Sequence, residues 1–292
     1  MVAIEVRRFA RHPLFILGAL AALGVQLWIR LANDEAYVTD LLSEPIIPAF
    51  FIGVTSLVVA ARLTSSTDVS AEAMGAAPGT EARRTLAVAG ASVVPLSAGL
   101  LWLVEFFALN AVKGPHPAEL WFGNLNDAYV WSALLGLGVV SCAGGALLGV
   151  LVGRWLRFPG APVVAVIALV VGTMAGQLFY AYDPDLSKLR LWVPWAMFHT
   201  GTMSDGKEFE GIPGFAQAVL PGNPVFYLLY LLALCALAVG GAVWHDKAAR
   251  TPGLRLRMYG VVAVALAFLA LAMFTGIDGI IISDPLPHLV AD

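Results

Sequence analysis

Charged residues are scarce in this chain. Asp, Glu, Lys and Arg make up 13% of its 292 residues, while hydrophobic residues make up 59%. Soluble domains carry about 25% charged residues. This composition leaves no room for a sizeable soluble catalytic domain and is typical of a polytopic membrane protein.

Several catalytic signatures are also missing. The phosphate-binding sequence G-x-x-x-x-G-K-[S/T] does not occur, so we do not expect the chain to hydrolyse ATP. H-E-x-x-H, C-x-x-C and G-x-S-x-G are absent as well. The five histidines are scattered, and Cys142 and Cys235 lie in hydrophobic stretches where a thiol serves as a small apolar filler. We therefore expect no catalytic residue, metal site or cofactor in this chain.

The sequence contains many long hydrophobic stretches. A helix needs about 20 apolar residues to cross the ~30 Å hydrocarbon core of a bilayer. Seven stretches approach or exceed that length and predict an all-α fold. The predicted spans are residues 14–31, 46–63, 85–112, 130–153, 161–182, 225–244 and 258–276.

The basic residues fall on alternate sides of these spans. If the N-terminus is cytoplasmic, 12 of the 17 Lys and Arg residues lie inside, and 14 of the 20 acidic residues lie outside. Such an asymmetry predicts an N-in, C-out orientation. The inner basic residues are Arg7, Arg8, Arg11, Arg62, Arg83, Arg84, Arg154, Arg157, Lys247, Arg250, Arg255 and Arg257.

The first 13 residues predict an amphipathic helix lying on the inner membrane surface. Val6 and Phe9 fall on one side of this helix, whereas Arg7, Arg8 and Arg11 belong to the basic side. Pro13 then turns the chain into the first span. The alternative is a solvated basic segment that only sets the orientation.

Residues 64–84 predict a cytoplasmic elbow between the second and third spans. Thr67 or Asp68 caps a short helix that includes Glu72, and Pro78-Gly79 ends it. Thr80 then caps the helix that becomes the third span. The alternative is an ordinary connecting loop.

The longest non-spanning segment, 183–224, contains two apolar runs at 189–198 and 212–220. One interpretation is a pair of half-helices that dip into the outer leaflet as a hairpin, which requires surrounding protein or a water-filled cavity. The other is a short amphipathic helix on the outer surface, anchored by Trp192 and Trp195.

Few polar residues occur within the spans. Glu105 is the one carboxylate inside a hydrophobic run, which makes it a functional candidate, although its place near the outer end also suits an interfacial role. Further pathway candidates are Phe51, Thr55, Gln177 and Tyr180. These residues suit an amphipathic cargo better than an ion, and the alternative for the aromatic ones is simple packing.

Small residues repeat every four positions in two of the spans. Gly145, Gly149 and Gly153 form one row in the fourth span, and Ala168, Gly172 and Gly176 form another in the fifth. Such rows let helix backbones approach closely. The spacing leaves open whether the contact is within the subunit or across a dimer.

Together these elements resemble the transmembrane subunits of type-2 ABC exporters over roughly residues 2–244. The resemblance is carried by the basic helix VAIEVRRFARHP, the elbow TDVSAEAMGAAPGTEARRTLAVA, the lack of soluble domains, and the apolar outer hairpin before PGNPVFYLLY. The family usually has six spans. Here a seventh span and an outer tail follow in residues 245–292, after the six-span domain of residues 14–244.

The resemblance implies a non-catalytic permease subunit in a bacterial cytoplasmic membrane. It would pair with an identical or related permease subunit and with ATPase subunits that bind ATP and Mg²⁺, and it would export a small hydrophobic, peptide or lipid-like cargo. We expect no nucleic-acid partner. The second and fifth spans would face each other across the pathway. The residues that would receive the ATPase movement are Asp68, Glu72, Pro78, Glu81, Arg83 and Arg84. A stand-alone secondary carrier or a membrane sensor is the alternative.

Overall fold

The computed structural model describes residues 1–32, 42–74, 80–113, 126–156, 158–178, 187–201, 217–277 and 281–282. Most of them are helical. The helices are α1 (Val2–Ala10), α2 (Pro13–Ala32), α3 (Ile46–Pro48), α4 (Val54–Met74), α5 (Glu81–Gly90), α6 (Val93–Lys113), α7 (Asp127–Leu135), α8 (Ser141–Trp155), α9 (Ala161–Leu178), α10 (Pro224–Val243) and α11 (Pro252–Phe274).

Six of the predicted spans are confirmed by length and composition. The helical stretches long and apolar enough to cross a membrane are Pro13–Ala32, Ile46–Ser66, Glu81–Val112, Asp127–Trp155, Pro224–Val243 and Pro252–Phe274. The fifth predicted span corresponds to the shorter apolar helix α9. Its predicted end at residue 182 lies outside the described residues. This is the architecture of a multi-pass membrane protein.

Three of the spans depart from a regular α-helix. The second and fourth each contain a π-helical turn, at Ala49–Gly53 and Gly136–Val140. The third is divided into α5 and α6 by a turn at Ala91 and Ser92. Pro95 accounts for that division, because proline has no N–H to donate and its ring clashes with the carbonyl four residues earlier, at Ala91.

The glycine row of the fourth span packs within the subunit. A Cβ atom on Gly145 would overlap the carbonyl oxygen of Gly53, and one on Gly149 would overlap that of Leu57. A Cβ on Gly153 would lie 2.6 Å from the Ala61 carbonyl oxygen. The row therefore lets α8 lie directly against the second span. The spacing of the row allowed a contact within the subunit or across a dimer, and in the structure the contact is within the subunit.

The elbow differs from its prediction. α4 runs without interruption from Val54 to Met74, so the segment with Asp68 and Glu72 continues the second span and does not form a separate capped helix. The helix that arrives from the span already supplies carbonyl partners to the backbone N–H groups that a cap would bind, so Thr67 and Asp68 do not start a new helix. Pro78 lies outside the described residues. The predicted cap at Thr80 is confirmed, since its hydroxyl accepts a hydrogen bond from the Arg83 backbone N–H at 3.3 Å.

At the opposite end of the bundle, the segment 187–224 forms neither half-helices nor a surface amphipathic α-helix over its described residues. It contains a 3₁₀-helix at Lys188–Trp192 and two strands, β1 (His199–Gly201) and β2 (Gln217–Val219). A third strand, β3 (Ile281–Ile282), follows α11, and the order of this small antiparallel sheet is β1-β2-β3. The predicted all-α fold class is confirmed for the helical body of the molecule, and these short strands are an addition to it at the distal end.

The seventh span supports that segment. Leu269 and Ala272 of α11 are buried in one apolar cluster with Leu191, Phe198 and Tyr227. Gly222 has a φ of +123° and its N–H donates to the Ile277 carbonyl at 2.8 Å, which ties the start of α10 to the chain just after α11. The extra helix thus belongs to the same core as the segment before α10.

Candidate functional site at the basic end

The basic end of the bundle is the end that holds α1, the start of α5, and the last turns of α8 and α10. Glu81 is the first residue of α5. One carboxylate oxygen, Glu81 Oε1, lies 2.5 Å from His245 Nδ1 and 3.8 Å from an Arg154 guanidinium nitrogen. Arg154 is fully buried in the last turn of α8. Glu81 therefore joins α5 to the ends of two other spans.

A second carboxylate adds to this connection. Asp246 follows α10, and its Oδ2 accepts a hydrogen bond from the Ala82 backbone N–H at 3.0 Å. The first N–H groups of a helix have no partner inside the helix, so Asp246 caps α5 from a distant part of the chain. Its Oδ1 accepts from the Ala248 N–H at 2.9 Å. Negative charge at a helix N-terminus is further stabilised by the helix dipole.

Aromatic packing completes the cluster. The Trp155 ring lies edge-on to His245, with the ring centroids 5.4 Å apart, and its indole N–H donates to the Gly241 carbonyl at 2.8 Å. We call Glu81, Arg154, Trp155, His245 and Asp246 the α5 latch. The latch holds the first turn of α5 through ion pairs and hydrogen bonds that come from α8 and from the end of α10.

The other predicted coupling residues are less involved. Arg83 is exposed and Arg84 is half-buried. Asp68 and Glu72 have side chains outside the described part of the structure. Sequence reasoning identified Glu81 but missed its partners Arg154 and His245, which were read only as orientation signals and loop residues. The sequence did contain one signal for this contact. Arg154 lies in the last turn of a glycine-rich apolar span, where an arginine needs a partner.

The predicted interfacial helix α1 docks onto α5. Phe9 is fully buried and packs edge-on to Phe15 at 5.3 Å between ring centroids, whereas Arg7 and Arg11 are exposed. Arg8 forms an ion pair with Glu5 at 3.0 Å and donates to Ser66 Oγ at 3.1 Å. The α1 helix thus contacts the first and second spans, and its Val2 lies against Gly90 of α5.

His12, between α1 and the first span, is a titratable group at this end. Burial and the nearby Arg62 guanidinium lower the pKa of His12 below its ordinary value. Its Nδ1 accepts a hydrogen bond from the Leu14 backbone N–H at 3.3 Å, which requires that nitrogen to be unprotonated.

The structure describes the side chains of three of the five predicted pathway residues, Phe51, Thr55 and Glu105. Thr55 packs against Gly18 of the first span and donates to the Phe51 carbonyl at 2.7 Å. Glu105 is half-buried in α6, and its Oε2 has no hydrogen-bond partner among the described residues. The side chain of Gln177 and the whole of Tyr180 lie outside the described residues.

A buried polar cluster at the distal end, opposite the basic end, was not anticipated. Glu44 accepts hydrogen bonds from Gln26 Nε2 at 2.6 Å and from an Arg30 guanidinium nitrogen at 2.5 Å. In the sequence Arg30 falls at the outer end of the first predicted span, and in the structure this arginine is 3% exposed. The spacing of Gln26 and Arg30, four residues apart on one helix face, was the signal that could have found this pair.

No group of three or more His, Cys, Asp or Glu residues that could hold a metal ion occurs within the described ranges. Cys142 and Cys235 are both free thiols. No family model, curated protein or solved structure matches the chain.

Proposed function

We propose that this chain is the membrane-spanning permease subunit of an ATP-driven exporter, with ATP hydrolysed by a separate subunit. The α5 latch is the observation that carries this proposal. A partner that pushes on the elbow beside Glu81 would move the ends of α8 and α10 together, because both are bound to the first turn of α5. Packed elements joined in this way transmit a local displacement to distant parts of a protein.

In this proposal the basic end faces the cytoplasm of a bacterium and receives the ATPase. The excess of Lys and Arg in the segments at that end supports this orientation. A second permease subunit, identical or related, would complete the pathway. The cargo would be a small hydrophobic compound, a peptide or a lipid-like molecule, since few ionisable side chains occur in the spans.

The first experiment is affinity purification of the tagged chain from its native membranes in mild detergent, followed by mass spectrometry. We expect a co-purifying polypeptide with a phosphate-binding loop and ATPase activity in the complex. Purification of the chain without an ATPase, together with ion-gradient-driven transport by the chain alone in liposomes, would overturn the proposal.

The second experiment tests coupling in the reconstituted complex. Glu81→Gln and Asp246→Asn remove the two carboxylates that hold α5, and we expect ATP hydrolysis to continue while cargo transport falls several-fold. Arg257→Ala is the matched control, because Arg257 is an exposed residue of the same end. Equal ratios of transport to hydrolysis in all variants would exclude the latch as the coupling element.

The second candidate function is a secondary carrier that needs no ATPase. It is favoured by the buried Arg30–Glu44 pair and by the unpartnered carboxylate oxygen of Glu105, because buried ionisable groups in membrane proteins often mark ion or proton pathways. Liposomes that contain only this chain separate the two functions. A carrier would show gradient-driven uptake that Glu44→Gln abolishes, whereas an ABC permease subunit would show none.

A further inference from the structure

A cavity of about 300 Å³ lies between α8, α9 and α10 and is bordered by Pro194 and Trp195 of the distal segment. That volume is at the lower limit of ligand pockets in proteins, which span about 300–1,000 Å³. Its walls come from Ser141, Gly144 and Leu148 of α8, from Leu169 of α9, and from several residues of α10 that include Leu234 and Cys235.

The chemistry of the lining selects the occupant. Among the described residues, no charged side chain lines the cavity. The one side-chain hydroxyl of this described lining, Ser141 Oγ, already donates to the Gly136 carbonyl at 2.9 Å. A ligand with a charged or strongly polar group would lose its hydration here, with only the acceptor lone pairs of Ser141 Oγ and the weakly polar Cys235 thiol to replace it, and this exchange is unfavourable. The site therefore accepts hydrocarbon.

The position of α9 determines how the cavity is reached. Near its start, Ala161 packs with Ala61 and Val152, and towards its end Gly176 lies against Val193. Between these two contacts Leu169 lines the cavity, while Ile167 and Val171 on the same helix are exposed.

The α10 side of the cavity is similar. Leu234 lines it, and Leu232 beside it is 47% exposed. The lining residues Leu169, Leu234 and Leu237 are themselves only half-buried, so the cavity is open between α9 and α10. Its mouth therefore faces the membrane interior, where the surrounding molecules are lipid chains.

We propose that this cavity is a binding site for one acyl chain of a membrane phospholipid. The chain lies along Leu148 and Leu234, and the Trp195 side chain closes the distal end of the site. Trp195 suits this position because it is 4% exposed and packs on Ala49 and Leu137, both of which belong to π-helical turns. The inference goes beyond the proposed function, since acyl-chain binding requires no ATPase.

The test uses the purified full-length chain in nanodiscs of phosphatidylcholine that carries a photoactivatable diazirine on one acyl chain. After illumination, cross-linked residues are mapped by mass spectrometry. We expect cross-links on Leu169, Leu234 and other cavity residues at a higher yield than on the exposed residues Ile167 and Val171. Cross-links on the exposed residues with none in the cavity would overturn the proposal from the wild-type chain alone.

Two variants fill the cavity from different sides. Gly144→Phe adds a ring from α8, and there is space for its Cβ because the nearest atom, Cys235 Sγ, would lie 3.4 Å away. Leu169→Trp adds volume from α9. We expect each to lower the cavity cross-links several-fold and to leave those on exposed residues unchanged. Val171→Trp, on the exposed side of α9, is the matched control.

Unchanged cavity cross-links in both filling variants, with each still monodisperse by size-exclusion chromatography, would also overturn the proposal. This result is independent of the ATPase experiment, because no partner subunit or nucleotide is present. Failure of the acyl-chain site and failure of the exporter proposal are therefore distinguishable.

Discussion

The two ends of the bundle are each built around a fully buried arginine, but the partners differ in kind. At the basic end, Arg154 lies beside the carboxylate of Glu81, which also contacts His245. At the distal end, Arg190 donates to three backbone carbonyls, those of Ser187, Met197 and Pro221, at 2.7–2.9 Å. Its guanidinium also lies 5.5 Å from the centre of the Phe198 ring.

This difference indicates different mechanical roles. Backbone carbonyls cannot change protonation state or rotate away from the chain, so the distal segment is held in one arrangement. Side-chain ion pairs can exchange partners when a neighbouring protein brings new charges. We therefore regard the segment held by Arg190 as the rigid part of the distal end and the α5 latch as the part that can respond to a partner.

The strongest test of the rigid end is Arg190→Ala. Burial lowers the pKa of Arg190 to about 10, which leaves the guanidinium charged at neutral pH. Its removal leaves three carbonyls without their donor, and each hydrogen bond to a charged group is worth about 1.5–3 kcal/mol. We expect the thermal midpoint in detergent to fall by more than for any other variant below, with faster proteolysis in residues 187–224. Arg257→Ala, an exposed arginine, is the control, and equal midpoints for the two variants would contradict this role.

Gly149→Ala tests the helix pair that connects the two ends. Its Cβ would overlap the Leu57 carbonyl oxygen, so α8 and α4 must separate, and overpacking of this kind costs about 1–3 kcal/mol. Gly172→Ala in α9 is the matched control, because nothing lies within 4 Å of a Cβ at that position. Thermal midpoints should fall for the first variant and stay unchanged or rise for the second. A neutral Gly149→Ala would show that the two helices are not in direct contact.

A double-mutant cycle on Glu81→Gln and His245→Gln tests the latch itself. Residues in direct contact show coupling free energies of about 0.5–3 kcal/mol, and we expect a value in that range from unfolding measurements. The same cycle with Glu81→Gln and Arg83→Gln is the control, since Arg83 is exposed on the same helix. If the destabilisation of the double variant equals the sum of the two single variants, Glu81 and His245 do not interact and the latch is contradicted.

The smallest effect is the pH dependence of His12. Its pKa is lower in the folded protein than the ordinary value of 6.5, so the unfolded chain binds the proton more readily. The stability that His12 contributes is complete above about pH 6.5 and is lost as the pH falls through its folded pKa. We expect the thermal midpoint between pH 7 and pH 5 to fall less steeply in His12→Gln than in wild type. If the thermal midpoint depends on pH equally in wild type and His12→Gln, His12 does not contribute to the pH dependence of stability.

Much of the fold was predictable because its signals are local. Each of the six confirmed spans is marked by its own run of apolar residues, and Thr80 marks the start of α5. The predicted short helix after Asp68 was wrong because the second span continues through it to Met74. The distal strands were missed because their pairing joins β2 to β3, a strand that follows the last span.

The candidate site was predictable only in part. The sequence named Glu81, but its contact with His245 joins residues 164 positions apart. The sequence also left open whether the Gly145–Gly153 row packs against another helix of this chain or against a second copy of it. Both questions concern which helix surfaces meet.

The sequence by itself determined where the chain can enter a bilayer and how its charges are distributed along it. Those properties depend on about 20 consecutive residues at a time, the length of one crossing. Only the tertiary structure decided that the glycine row receives the second span, that Arg190 holds the distal segment and that Glu81 meets Arg154 and His245. Helices in a membrane associate through close packing and a few polar contacts, and these depend on the mutual arrangement of helices distant in sequence.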